Sequence, residues 1–225
     1  MLNDRIDIDS LKEALIHASE WTRGHSELLR ELDAACGDGD LGVTVRRGFT
    51  AVESLLHEEK STHVEISDLM IRMGMMFNRV AASSFGVFFA TAFMRAGDAV
   101  KGKRDLGIEE VGTMFDAAVE GVRARGKAEE GDKTILDALV PAQESLQKSK
   151  ESGLGLRKAL EAAAEAAKNG AEATKGMHAR KGRAGQLGTR SDGIQDPGAT
   201  AVSIFLQGLC GPKAIEPRED LGAIT

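Results

Sequence analysis

Apolar residues recur along this chain three and four positions apart, the period of a helix with one buried face. Leu11, Leu15, Ala18, Thr22, His25, Leu29 and Leu32 define a first helix, opened by Ser10-Leu11-Lys12-Glu13 in capping-box spacing. Val45, Phe49, Val52 and Leu56 mark a second over 43–56, and Leu69, Met73, Met76 or Phe77, and Val80 a third that starts near Ser67-Asp68. Ala81-Ala82-Ser83-Ser84 breaks the pattern, and Phe85-Gly86-Val87-Phe88-Phe89 then opens a fourth helix, apolar all round and so expected to be buried on every side. After a charged linker over 97–107, Ile108, Val111, Phe115, Ala118 and Val122 give a fifth helix, with Gly126 as its stop. Thr134 and Asp137 cap a sixth, which Pro141 should kink. An Ala-rich seventh covers 154–174, and Asp196-Pro197 starts an eighth through Val202, Phe205, Leu206 and Leu209. Eight amphipathic or buried helices with short connections predict an all-α fold, an up-and-down antiparallel barrel or bundle. One domain over 1–225, with its core at about 10–210, accommodates them.

Composition sharpens this picture. The chain has 225 residues, 42% hydrophobic, with no Tyr and a single Trp, which favours helices over a β-sandwich. A net charge of −6 argues against a general nucleic-acid binder. Cys36 and Cys210 lie far apart and in no metal-ligand spacing, so Cys36 is assigned to packing. Met70, Met73, Met75 and Met76 read as adaptable core filler, and His17 and His25 as surface or core-edge residues. The polar start reads as no secretion signal, and the uncharged run over 80–94 is too short to span a bilayer, so a cytoplasmic location is expected.

The chemistry centres on Asp33-Ala34-Ala35-Cys36-Gly37-Asp38-Gly39-Asp40-Leu41-Gly42. Three carboxylates within eight positions repel one another unless a cation sits among them. Mg²⁺ takes a few carboxylates, with waters and phosphate oxygens completing its octahedron. Asp33, Asp38 and Asp40 can supply the carboxylates, while Leu41 to Thr44 open a helix whose N–H groups suit phosphate. A calcium loop fits less well, because the twelfth position from Asp38 is Phe49 where an EF-hand needs Glu. Alone, the stretch reads better as an acidic, Gly-rich turn between helices.

Other segments bear on this site. Gly121-Val122-Arg123-Ala124-Arg125-Gly126-Lys127-Ala128 imitates a P-loop but ends in Ala and follows a helix, so it is rejected. Asp132 and Asp137 read as caps. The basic stretch Met177-His178-Ala179-Arg180-Lys181-Gly182-Arg183-Ala184, running on to Arg190, is either a solvated loop or a lid whose cations meet phosphate.

Four segments in order resemble the L subunit, or nucleotide-binding domain, of dihydroxyacetone kinases: Asp33 with Gly37-Asp38-Gly39-Asp40-Leu41-Gly42; Gly131-Asp132-Lys133-Thr134-Ile135-Leu136-Asp137; Ala179-Arg180-Lys181-Gly182-Arg183-Ala184; and Asp196-Pro197-Gly198-Ala199. The resemblance runs from about Asp33 to Leu209. It implies an eight-helix barrel whose apolar interior can hold a lipid, with a Mg-nucleotide at one rim. By matching position, Asp33, Asp38 and Asp40 would bind two Mg²⁺ ions. Leu41, Gly42, Val43 and Thr44 would cradle phosphates, and Ser83, Ser84, Gly126, Ile135, Arg183, Asp196, Pro197 and Gly198 would contact ATP or ADP, with Arg183 also offsetting charge in the transfer. The family often has His or Cys where this chain has Leu41, and its small-residue segment is here Ala82-Ser83-Ser84-Phe85. The resemblance further implies a separate K subunit that holds the ketose, and either free ATP or an ADP rephosphorylated by a phosphotransferase-system protein as donor. Two other readings stand beside it: the nucleotide domain of a fatty-acid kinase, and a non-catalytic regulator that binds ADP or lipid.

Overall fold

The computed structural model describes residues 5–58, 65–182, 185 and 191–211. A short strand β1 (Ile6–Asp7) leads into α1 (Ile8–Gly24), α2 (Ser26–Cys36), α3 (Leu41–Glu58), α4 (Ile66–Val80) and α5 (Ser84–Ala99). Strand β2 (Asp105–Leu106) precedes α6 (Ile108–Gly126), α7 (Leu136–Glu151) and α8 (Leu156–Ala173), and after a 3₁₀ turn (Thr174–Gly176) the last helix is α9 (Pro197–Leu209). No described helix is long and apolar enough to cross a membrane.

The helices close a ring. α1 packs on α3, α3 on α4, and each later helix on the next until α9 returns to α1, while α2 leans on α3 with a smaller contact to α9. At the seam, the His17 ring Nδ1–H donates to the Gly208 carbonyl at 2.6 Å. The starts of α3, α5, α7 and α9 line one pocket, so these alternate helices of the ring all begin at one end. The starts of α1 and α6 lie at the other, where β1 and β2 pair antiparallel with Ile6 opposite Leu106. There Arg5 bridges Asp105 and Glu110. The Gly107 N–H and Lys103 hold the Glu110 carboxyl down to about 2.

The buried apolar side chains make one contiguous core. Its centre is a set of phenylalanines: the Phe49 ring stacks on Phe205 at 5.5 Å and meets Phe77 and Phe89 edge-on at 5.1 and 5.2 Å. The ring encloses an apolar cavity of about 150 Å³, walled by Phe85, Phe88, Phe89, Met114, Leu160 and Phe205 among others.

Several expectations are corrected. The first predicted helix is two, because Gly24 and His25 end α1 and the chain restarts at Ser26. Its N-cap is Asp7, whose carboxylate accepts the Ser10 N–H at 2.9 Å, so Ser10 lies inside the first turn and is not the cap. Val80 and Met75, assigned inward, are 37% and 57% exposed. Part of the expected 97–107 linker is helix, since α5 runs to Ala99, and part is strand β2. α7 begins at Leu136 with Ile135 at its N-cap position, one residue after the Thr134 expected there, and carries Pro141 within it to Glu151. Proline leaves the Asp137 carbonyl without its helical donor, and Gly170 of α8 packs on that carbonyl so closely that an added Cβ would lie 2.0 Å from it.

Candidate functional site

Four helix starts at one rim create a positive end to which anions are drawn, because the first N–H groups of each helix lack intrahelical acceptors and the helix dipoles add. A pocket of about 150 Å³ opens there, lined by Asp33, Asp40, Leu41, Ser83, Ser84, Gly126, Lys133, Thr134, Ile135, Asp196, Pro197 and Gly198. Segments up to 165 positions apart in the chain thus share one wall.

The acidic side of the pocket is built by the end of α2 and the start of α3. Asp33 is buried in the last turns of α2, and its Oδ2 accepts the Leu41 N–H at 3.0 Å, which ties the two helices across the loop. Asp38 and Asp40 stand exposed beside it, with Asp38 Oδ1 accepting the Asp40 N–H at 3.4 Å. Gly39 between them has φ of +76°, a left-handed conformation that costs glycine nothing and most residues about 1 kcal/mol or more. Each of the three aspartates offers an oxygen within 4.8 Å of the others. Such a donor set fits a hard divalent cation.

The helix starts supply the rest. At the start of α3, the Leu41 and Thr44 amides are engaged by Asp33 and by the Asp40 carbonyl, so Gly42 and Val43 carry the first-turn N–H groups with no helical acceptor. Gly42 also faces α2, and Val43 is 42% exposed. Ser83 caps α5 by accepting the Gly86 N–H at 3.0 Å, with Ser84 exposed next to it. Before α7, Asp137 accepts the Gly131 and Thr134 N–H groups, both at 2.6 Å, and Asp132 accepts that of Glu129 at 2.9 Å, so both aspartates are loop caps. Asp196 caps α9 through the Ala199 N–H at 2.7 Å.

Lys133, Thr134, Lys181 and Gly182 also line this wall; the sequence marked Lys181 and Gly182 as part of a loop or lid and Thr134 as a cap, without placing any of the four at the nucleotide, and Phe85, Phe88 and Ile135 are shared with the apolar cavity behind it. Cys36 also borders the pocket. It is buried with its Sγ–H on the Leu32 carbonyl, and burial pushes the thiol up to about 11, in keeping with a packing role. Arg183 lies outside the described residues.

Burial pushes the Asp196 carboxyl up to about 7, with nearby Asp137 acting in the same direction; the Ala199 N–H and Lys133 oppose the shift. The unfolded group ionises near 3.8, so raising the pH from about 4 to about 7 charges the unfolded state first, and stability falls across that window. Asp196→Asn keeps a cap acceptor and removes the titration. Thermal melts of the ligand-free protein are expected to show no advantage for the variant at pH 4 and a growing one to pH 7, bounded by about 4 kcal/mol. Parallel melting curves across this range would contradict the assignment.

An all-α ring whose rim joins a carboxylate cluster to several helix starts defines a class of protein able to hold a cation and an anion side by side. The family is shown by comparison. The DAK2 domain matches residues 35–211, a stretch that begins two positions after Asp33. The chain is 42% identical over 182 residues to the PEP-dependent dihydroxyacetone kinase, ADP-binding subunit DhaL, of Escherichia coli (strain K12), covering 81% of this chain and 86% of that one. It is 34% identical over 187 residues to the ADP-binding subunit DhaL of PEP-dependent dihydroxyacetone kinase 2 from Listeria innocua, with 81% and 86% covered. The crystal structure of the dihydroxyacetone kinase from C. freundii in complex with AMP-PNP and Mg²⁺ superposes with a TM-score of 0.69 at 28% identity, over 89% of this chain. This chain spans 33% of that enzyme's length. The protein belongs to the DAK2-domain family.

Proposed function

We propose that this chain is the nucleotide-binding, phosphoryl-donor subunit of a dihydroxyacetone-type kinase. It passes phosphate to a hydroxyl of a short-chain ketose held on a separate K-type subunit, in the cytoplasm. The observation that carries this reading is that four helix starts share one pocket with Asp33 and Asp40, whose carboxylates cluster with that of Asp38 beside it. The names of its relatives, ADP-binding subunits of dihydroxyacetone kinases, support it and do not favour the fatty-acid kinase alternative.

In this proposal the three aspartates hold two Mg²⁺ ions, and the nucleotide lies against Ser83, Ser84, Gly126, Ile135 and the Asp196-Pro197-Gly198 turn. Bound there, Mg²⁺ supplies the charge neutralisation that phosphoryl transfer needs. The chain's own part is to position and to stabilise charge. The amides of Gly42 and Val43 donate to phosphate oxygens, and the converging helix starts favour the charge that spreads over the transferring group. No general base is assigned to these acids, since all three serve as ligands.

Two modes of supply differ in the donor: free ATP, or a resident ADP rephosphorylated by a phosphotransferase-system protein. The second is supported by the PEP-dependent relatives, at 42% and 34% identity. ADP is therefore expected to stay bound through extensive dialysis in Mg²⁺. Turnover with a K-type subunit is expected to require the phosphotransferase chain and phosphoenolpyruvate. Turnover with ATP alone would overturn that choice of donor, and a folded protein that takes up no Mg-ADP in calorimetry would overturn the function. We further propose that the inner cavity accepts a lipid alkyl chain, to be read by mass spectrometry of the intact protein.

A further inference from the structure

Lys133 is 1% exposed, a rare state for a lysine, and its backbone sits at φ +62°, a conformation that side-chain-bearing residues seldom adopt. Its Nζ donates to the Ser191 carbonyl at 2.5 Å and to the Met177 carbonyl at 3.1 Å. These acceptors lie 44 and 58 positions further along the chain, on either side of the segment that brings Lys181 and Gly182 to the pocket. One ammonium therefore ties together the two ends of that segment. A main-chain bond from the Arg180 N–H to the Asp132 carbonyl, 3.1 Å, repeats the tie one residue before Lys133. On the far side, the Gly193 N–H donates to the Lys175 carbonyl at 3.2 Å and the Asp196 N–H to Thr174 Oγ1 at 2.8 Å, so the path from Ser191 to the α9 cap is also fixed.

We infer that Lys133 is a positioning residue for the nucleotide site: its buried ammonium sets where Lys181, Gly182 and the Asp196-Pro197-Gly198 turn stand around the bound nucleotide. This rests on the function proposed above. A buried cation with no partner is costly, and so is a buried carbonyl. The left-handed backbone at Lys133 is a second cost, localised strain that persists only where surrounding contacts over-determine it. Both costs are met here by the same two carbonyls. The metal side of the pocket is built separately, by α2 and α3, and Lys133 makes no hydrogen bond to Asp33, Asp38 or Asp40 among the described residues.

The test is Lys133→Met in the full chain, which keeps the apolar stem and removes the ammonium. Calorimetry with Mg-ADP is expected to give a Kd at least tenfold weaker, and release of a fluorescent ADP analogue a rate at least tenfold faster. Mn²⁺ binding without nucleotide, followed by electron paramagnetic resonance, is expected to stay within twofold. In turnover with a K-type subunit, the phosphotransferase chain and phosphoenolpyruvate, the nucleotide-stripped variant should need at least tenfold more added ADP for half-maximal activity, while the maximal rate holds within about threefold. Hydrogen exchange should accelerate at the Arg180 and Gly193 amides and not in α3–α5, whereas a merely structural lysine would loosen all of them. Should the variant fail to fold, the wild type still decides: addition of Mg-ADP must slow exchange at Arg180 and Gly193 together. Wild-type Mg-ADP uptake with an unaltered Kd in the variant, or no protection of these two amides in the wild type, overturns the inference. Absence of Mg-ADP uptake by the wild type instead overturns the function on which it rests.

Discussion

Asp40→Asn is expected to weaken Mg-ADP uptake by at least a hundredfold while leaving the ligand-free protein folded, with a melting temperature within about 3 °C of the wild type. The three aspartates offer oxygens inside 4.8 Å of one another, and Asp40 is exposed, so its conversion to an amide changes the donor set without opening a cavity. The effect on binding is large, because an amide is a poor ligand for a hard divalent cation. Calorimetry in Mg²⁺ should show at least a hundredfold weaker ADP binding, about 3 kcal/mol. Asp38→Asn should behave alike. Undiminished uptake in both variants would remove the carboxylates from the site.

Gly42→Ala is expected to damage stability and binding together, by a purely steric route. A Cβ at position 42 would lie 2.3 Å from the Ser26 carbonyl oxygen and 2.7 Å from the Arg30 Cβ, both on α2. Neither is the free end of a flexible side chain, so α2 and α3 must separate. Overpacking of this kind costs about 1–3 kcal/mol, here about 3–10 °C in melting temperature. The separation also stretches the bond from the Leu41 N–H to Asp33 Oδ2, which holds Asp33 against Asp38 and Asp40. Mg-ADP affinity should therefore fall by about tenfold even at temperatures where the variant is fully folded. Folded Gly42→Ala with wild-type affinity would show that the placement of Asp33 does not depend on this helix contact.

How far the chain could be read in advance follows from the range of each signal. Helical periodicity is local, and Val45, Phe49, Val52 and Leu56 all lie in the core as their spacing requires. Asp196-Pro197 was legible as a helix start because a capping aspartate and a first-turn proline act within three residues. The division at Gly24 and His25 was not, since Leu29 and Leu32 continue the three-and-four spacing across it and hide the break. Asp7 took the cap from Ser10 for a related reason: both stand close enough to the first turn to serve, and the pairing of β1 with β2 decides where the helix begins. The convergence of Asp33, Asp38 and Asp40 could be read in advance because the three fall within eight positions of the chain. Lys133 was invisible as a buried residue, because a lysine is expected in solvent and its two acceptors are main-chain carbonyls far along the chain.

The seam between α1 and α9 has a kinetic meaning. Of all the helix pairings in the ring, it joins the residues most distant along the chain, so loop-closure entropy makes it the most demanding to form. The same last helix brings Asp196, Pro197 and Gly198 to the pocket. A molecule whose two ends have not met therefore has no complete pocket, and ligand at a hundred times its dissociation constant adds about 2.7 kcal/mol in favour of those whose ends have. Nucleotide in the surrounding solution thereby favours finished chains, adding its binding energy to the junction that is slowest to close.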